Sequence, residues 1–157
     1  MRESKPEFKN LKPGAETKIA IIVANWNLKY NEEMFESAKE ALISVGLTED
    51  QIKRFTVPGA YEIPVMALKL AESGRYSAVI CFATVIKGGT IHFELVANDS
   101  SKGMMDVSIK TGVPILNGIL ACNTAEQAEE RASRKKEDKG SEIALSALQI
   151  ISSLNQV

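Results

Sequence analysis

Four short apolar segments, each followed by a longer stretch with helical periodicity, constrain the fold of this chain more than any other feature. The segments cover 18–24, 53–57, 78–86 and 113–120. The first and third are nearly continuous apolar runs, which is typical of strands buried on both faces. Helices are predicted over 31–45, 61–73, 92–111 and 141–154, with a shorter one starting near Thr124. Because strands that alternate with helices pair in parallel through right-handed crossovers, we predict an α/β protein: a three-layer α/β/α sandwich around a four-stranded parallel sheet.

The sequence predicts one domain preceded by a short arm. Residues 1–16 are polar and contain Pro6, Pro13 and Gly14, so an irregular arm is expected there. Residues 17–157 are long enough for a single domain with its own core. The polar N-terminus lacks the apolar centre of a signal peptide, and no apolar run is long enough to cross a membrane.

Composition excludes several classes of function. The formal net charge is −1, which does not favour binding to nucleic acid or to an anionic membrane. Cys81 and Cys122 lie in apolar strand-like runs, so we expect buried reduced thiols and a cytoplasmic setting. With one histidine and two distant cysteines, no metal site is expected.

Helix-capping signals help to place the boundaries. Asn31 is the expected N-cap of the first helix, and Thr124 with Gln127 has the spacing of a capping box. A charged stretch over 131–139 is expected to end or kink the helix that begins near Thr124. The usual interpretation of such a charged stretch is a solvated helix end.

The unusual residues of the sequence follow the strands, and ligands of open α/β sheets bind at the carboxyl ends of strands. Trp26, the sole tryptophan, follows the first strand and could be a platform for a flat ring or a partly buried packing residue. The Glu62 carboxylate could interact favourably with the dipole of its helix, or it could accept hydrogen bonds from ligand hydroxyls. The sequence leaves both alternatives open.

The segment 87–92 (KGGTIH) joins a strand to a helix and combines two glycines with His92, the sole histidine. Glycines at such a turn let backbone N–H groups approach an anion, and a neutral imidazole at a helix N-terminus can move protons. The alternative is an ordinary glycine turn followed by a surface histidine, and the segment alone supports both about equally.

Several segments together resemble the lumazine synthase family in order and spacing over about residues 17–154. The segments are 57–64 (VPGAYEIP), 85–94 (VIKGGTIHFE), 112–115 (GVPI), 123–132 (NTAEQAEERA) and 139–142 (KGSE). The resemblance implies a flavodoxin-like fold and a step of riboflavin biosynthesis. In that step, 5-amino-6-ribitylamino-2,4-pyrimidinedione condenses with 3,4-dihydroxy-2-butanone 4-phosphate to give 6,7-dimethyl-8-ribityllumazine. It also implies no cofactor and a homo-oligomer, a pentamer with active sites between subunits.

The resemblance implies roles for individual residues. His92 would transfer protons, and Arg131 of a neighbouring subunit would balance the phosphate charge. Trp26 would stack on the ring, and Lys139 would contact the pyrimidine edge. The other implied substrate-binding positions are Asn27, Gly59, Ala60, Tyr61, Glu62, Val85, Ile86, Lys87, Gly89, Thr90 and Asn117.

This chain departs from the usual family pattern at several positions. Trp26 stands where phenylalanine is usual, Lys87 where arginine is common, and Gly89 where alanine or glutamate is common. Asn117 replaces an apolar residue that packs on the ligand from the adjacent subunit. The loop 133–138 lacks the glycines of the common version, so it is expected to reach positive φ less easily and to disfavour closure of rings into a shell.

Two rival functions share the fold. A related riboflavin synthase would dismutate two lumazines and would need no phosphate site. A non-catalytic flavin- or lumazine-binding or scaffold protein could use the same pocket. Arg131 with the glycine turn argues against the first, and His92 with Arg131 argues against the second.

Overall fold

A computed structural model of the protein describes residues 3–157, and it contains the predicted alternation of strands and helices. The strands are β1 (Ile19–Ala24), β2 (Ile52–Val57), β3 (Ala78–Ile86) and β4 (Ile115–Cys122). The α-helices are α1 (Leu28–Ser44), α2 (Ile63–Glu72), α3 (His92–Thr111), α4 (Ala125–Ala132) and α5 (Lys139–Leu154). Short 3₁₀ turns cover Glu49–Gln51 and Ala60–Glu62.

The four strands form one parallel sheet in the order β2-β1-β3-β4, which confirms the predicted fold class. The chain runs outward from β1 to β2, then crosses back to place β3 on the other side of β1. The strand order therefore reverses between β1 and β3, and such a reversal leaves a crevice at the carboxyl ends of the two strands.

Alternate side chains of β1 divide the interior into two cores. Ile19, Ile21 and Val23 pack in the core that contains residues of α1, α4 and α5. Ala20 and Ile22 pack in the core that contains residues of α2 and α3. Because β1 is apolar on both faces, it can be covered by helices on both, as the nearly continuous apolar run predicted.

The predicted N-cap of the first helix is wrong. Helix α1 begins at Leu28, and Asn27 occupies the N-cap position with φ 57°, in the left-handed region that asparagine tolerates better than most residues. Asn31 lies inside the first turn and is fully buried. Its carboxamide bonds to the ends of β1 and β3, so a tertiary contact accounts for this polar residue.

The predicted capping box of α4 forms only in part. The Thr124 hydroxyl accepts a hydrogen bond from the N–H of Gln127 at 3.2 Å. The Gln127 side chain accepts from the N–H of Asn123 at 2.8 Å, one residue before the N-cap.

β4 begins and ends two residues later than predicted, because the chain remains extended until Cys122.

The loop between α4 and α5 differs from its prediction in backbone conformation. Asp138 adopts φ 51° at the N-cap of α5, although the loop has no glycine. The Asp138 carboxylate accepts hydrogen bonds from the Ser37 hydroxyl and the N–H of Ser141, which hold it in place. Helix α5 starts at Lys139, directly after this N-cap. Gly140 follows, and a Cβ there would collide with the backbone of Met34.

Residues 3–18 contain no helix or strand, while residues 1 and 2 lie outside the described residues. Lys5 donates a hydrogen bond to the carbonyl of Glu137 at 3.1 Å, so the arm contacts the α4–α5 loop. Cys81 and Cys122 are buried and unpaired, as predicted. Within residues 3–157, no helix is long and apolar enough to cross a membrane.

Candidate active site

A cleft of about 630 Å³ opens at the strand-order reversal, and we call it the Trp26 cleft. Segments that follow β1 and β2, the end of β3 and the start of α3 supply its walls. Its lining residues are Trp26, Asn27, Gly59, Ala60, Tyr61, Glu62, Ala83, Thr84, Val85, Ile86, His92, Leu95, Val96 and Asp99. Nine of the residues implied by the resemblance thus meet in one place.

The Trp26 backbone is fixed although its indole is 75% exposed. Its N–H donates to the carbonyl of Pro58 at 3.1 Å, and its carbonyl accepts from the Asn31 side chain at 2.9 Å. The neighbouring Asn27 side chain donates to the carbonyl of Thr84 at 2.8 Å. An exposed aromatic face on a fixed backbone is suited to stack on a flat ring.

Gly59 and Glu62 line the cleft beside Trp26. One carboxylate oxygen of Glu62 accepts a hydrogen bond from the N–H of Gly59 at 2.9 Å. A Cβ at Gly59 would lie 3.1 Å from Cδ1 of Trp26 and 3.3 Å from Oε2 of Glu62. The missing side chain therefore makes room for both groups, and the second Glu62 oxygen stays available to a ligand hydroxyl.

His92 is the first residue of α3, as the sequence predicted, and it is an exposed residue of the cleft lining. Its N–H donates to the Thr90 hydroxyl at 3.3 Å. Sequence reasoning missed Leu95, Val96 and Asp99, which line the same cleft. The signal was present, because residues three, four and seven positions after His92 share its face of a helix.

The glycine turn lies at the rim. Lys87, Gly89 and Thr90 are exposed, and none of them lines the Trp26 cleft. The N–H of Lys87 donates to the carbonyl of Cys122 at 2.8 Å, which continues the β3–β4 pairing into the turn. In the part of the chain that the structure describes, no atom would contact a Cβ at Gly88 or Gly89, so space for an anion is open there.

The remaining predicted residues lie in a second cleft of about 840 Å³, which we call the β4 cleft. Asn117, Arg131 and Lys139 line it, together with Gly118, Ile119, Leu120, Ala121, Glu137, Glu142, Ile143 and arm residues Glu3, Ser4 and Lys5. Lys139 donates to Glu142 at 3.1 Å, and Asn117 bonds to Ser101 at 3.3 Å. Among residues 3–157, none lines both clefts, so one chain does not bring Arg131 to the cleft that holds His92.

The two thiols are protected from ionisation. Burial raises the pKa of Cys81, and burial also raises that of Cys122, where the charge of Arg131 acts in the opposite direction. A protonated, buried thiol is a poor nucleophile, which argues against a role for either cysteine in chemistry.

Comparison with known proteins decides the family. The family model described as 6,7-dimethyl-8-ribityllumazine synthase matches residues 16–155. The 6,7-dimethyl-8-ribityllumazine synthase of Desulfotalea psychrophila (strain LSv54 / DSM 12343) is 47% identical over 133 residues, which are 85% of this chain and 86% of that protein.

The chain belongs to the lumazine synthase family. Its function is the lumazine synthase step of riboflavin biosynthesis, and it is a transferase. The lumazine synthase match includes the lining of the Trp26 cleft and all of the β4 cleft except Glu3, Ser4 and Lys5. Neither comparison supports the non-catalytic alternative.

Proposed function

We propose that the Trp26 cleft binds the ribitylamino-pyrimidinedione and the lumazine formed from it. The Trp26 indole would stack on the ring, while Val85 and Ile86 form the wall behind it. Asn27 and the backbone of Ala60 and Tyr61 offer polar contacts to the ring and ribityl chain, and Glu62 can accept from ribityl hydroxyls. The exposure of Trp26 and Tyr61, 75% and 60%, supports this proposal because exposed aromatic faces favour a partner.

The active site, we infer, is completed by a second copy of the chain. The observation that carries this inference is the separation of His92, in the Trp26 cleft, from Arg131, Lys139 and Asn117, in the β4 cleft. A neighbouring subunit that presents its β4 cleft would bring a guanidinium to the phosphate. Such contacts between different faces of identical chains close into a ring, and a pentamer is the ring we propose.

Exposed apolar side chains along α2 and α3 support the same assembly. Val65 of α2 and Leu95, Met105 and Ile109 of α3 are each at least half exposed. Together with Tyr61 they form an apolar surface on the layer that contains α2 and α3. Burial of this surface against a neighbour would stabilise the ring.

In the proposed reaction, the primary amine of the pyrimidinedione attacks the ketone of 3,4-dihydroxy-2-butanone 4-phosphate and water leaves to form an imine. Phosphate is then eliminated, and the ribitylamino nitrogen closes the ring with loss of a second water. His92 would accept and return protons during these steps. Backbone N–H groups of Gly89 and Thr90, with Lys87 nearby and Arg131 of the neighbour, would hold the phosphate and stabilise it as it leaves.

The cytoplasm is the location we propose, since both thiols are free and buried. The division into an arm, 1–16, and a domain, 17–157, is likewise proposed, and the family match over 16–155 supports it.

Incubation of the purified protein with both substrates tests the activity. We expect the fluorescence of 6,7-dimethyl-8-ribityllumazine to appear faster than in a reaction without protein. A rate equal to the uncatalysed one would contradict the assignment. Incubation with the lumazine alone should yield no riboflavin, because formation of riboflavin would indicate dismutation.

A further inference from the structure

The side chain of Asn31 makes three hydrogen bonds at the base of the Trp26 cleft. Its Nδ2 donates to the carbonyl of Ala24 at 2.7 Å and to that of Trp26 at 2.9 Å. Its Oδ1 accepts from the Thr84 hydroxyl at 2.8 Å. Asn31 is fully buried and Thr84 is 3% exposed, so the bonds to Ala24 and Thr84 are buried, whereas the bond to the Trp26 carbonyl is partly buried.

Side-chain bonds connect β1 and β3 beyond the point where these two strands cease to pair. The pairing of β1 with β3 ends at Val23 and Phe82, although β3 continues to Ile86. Past that point, the carbonyl of Thr84 accepts from Asn27, and its hydroxyl reaches Asn31. Two asparagine side chains thus connect the end of β3 to the loop that carries Trp26.

The other side of this loop is also held. The N–H groups of Asn25 and Trp26 both donate to the carbonyl of Pro58, at 3.2 and 3.1 Å. Asn31 supplies the bond to the Trp26 carbonyl and so completes the restraint on the tryptophan backbone. Buried bonds of this kind act as a unit, because the loss of one partner leaves another group unsatisfied.

We propose that Asn31 and Thr84 are positioning residues that fix the Trp26 indole relative to the wall formed by Val85 and Ile86. The inference rests on the proposed role of the Trp26 cleft as the ring-binding site. A fixed platform saves the ordering cost of the loop when a ring binds. Asn31 therefore controls affinity for the pyrimidine and flavin rings without touching them.

Riboflavin binding and the fluorescence of the sole tryptophan provide the test. In Asn31→Ala and in Thr84→Val, we expect the Kd for riboflavin and the KM for the pyrimidine to rise roughly tenfold, the scale of one or two lost buried hydrogen bonds. The KM for the phosphorylated substrate and kcat should change less than about twofold, since these bonds do not reach the phosphate. Time-resolved anisotropy should report faster local rotation of the indole.

Two further variants separate positioning from stability. Leu42→Ala removes a fully buried side chain from the far end of the same helix, so it lowers stability without touching the network. It should leave riboflavin affinity and indole anisotropy unchanged. Thr84→Ser keeps the hydroxyl and should restore most of the affinity lost in Thr84→Val. The double variant Asn31→Ala/Thr84→Val should bind little worse than either single variant, because the two residues act together.

Unchanged affinity in both Thr84→Val and a folded Asn31→Ala would overturn the inference, and so would equal losses in Leu42→Ala. If Asn31→Ala does not fold, Thr84→Val and Thr84→Ser decide the question alone. Wild-type protein that binds riboflavin without a change in Trp26 emission would instead overturn the proposed ring site itself. Quenching of Trp26 emission that is equal in wild type and variants would leave the ring site intact and contradict only the positioning role of Asn31 and Thr84.

Discussion

At the scale of single residues, His92 is the side chain in the Trp26 cleft best suited to proton transfer. It is exposed at the start of α3 and belongs to neither core, so its truncation leaves the core packing intact. We expect His92→Ala to slow the single-turnover rate by up to ~10²–10⁴-fold, the usual contribution of a general acid–base group. Riboflavin affinity should change little. A variant with the wild-type single-turnover rate would show that another group moves the protons.

Gly59 tests the contact between a backbone position and the tryptophan ring. Its φ of −151° is extended and open to any residue, so Gly59→Ala introduces a contact without backbone strain. The new methyl would stand 3.1 Å from the Trp26 ring, and we expect riboflavin affinity to fall several-fold as the indole shifts. Gly88→Ala is the matched control, since no atom of the described residues lies within 4 Å of its Cβ position. Equal riboflavin affinities in the two variants would refute the contact.

At the scale of elements, an ion pair connects α1 to the edge strand β2. The Arg54 guanidinium donates to both carboxylate oxygens of Glu32, at 2.6 and 2.8 Å, and lies 4.7 Å from the centre of the Phe35 ring. These hydrogen bonds lower the pKa of Glu32 below its ordinary value of 4.5 and raise that of Arg54. The geometry is bidentate, but both side chains are partly exposed, so solvent screens the pair.

Linkage gives the sign of the pH effect. Because the folded-state pKa of Glu32 is lowered, the pair stabilises the fold above pH 4.5 and loses this effect as the pH falls through the folded-state value. We expect Glu32→Gln to reduce the free energy of unfolding by less than about 1 kcal/mol at neutral pH, and the difference from wild type to vanish in acid. Urea titrations at fixed protein concentration measure it, with Glu72→Gln on the exposed end of α2 as control. A difference that persists in acid would contradict the linkage.

Strand–helix alternation could be predicted from the sequence because it depends on local apolar patterns. β3 and α3 were predicted with the observed boundaries for this reason. Asn31 could not be interpreted correctly, since one of its partners, Thr84, lies on β3, 53 residues away. The family resemblance could indicate Trp26, His92 and Arg131, with Arg131 from a neighbouring subunit, but the lining of the two clefts depends on three-dimensional packing.

At the scale of the whole molecule, we expect the protein to form a ring of five 17.1 kDa chains or at most a pair of such rings. The lack of glycine in the 133–138 loop does not by itself disfavour a closed shell, since Asp138 reaches positive φ without glycine. The charges of the 133–138 loop and the prolines of the arm still disfavour contacts between rings. Sedimentation velocity measures the mass, and a stable monomer would contradict the ring.

The central claim is that Arg131 of one subunit completes the cleft that holds His92 of another, and mixed oligomers test it most directly. His92→Ala and Arg131→Ala chains are co-expressed with different tags, and complexes that carry both tags are isolated. In a ring with random order, about a quarter of the interfaces pair an intact His92 with an intact Arg131. Co-expression of His92→Ala with the His92→Ala/Arg131→Ala double variant is the control, because no interface there has His92. We expect the mixed oligomers to form lumazine well above the summed rates of the separate variants, whereas activity no higher than that sum would contradict a shared site.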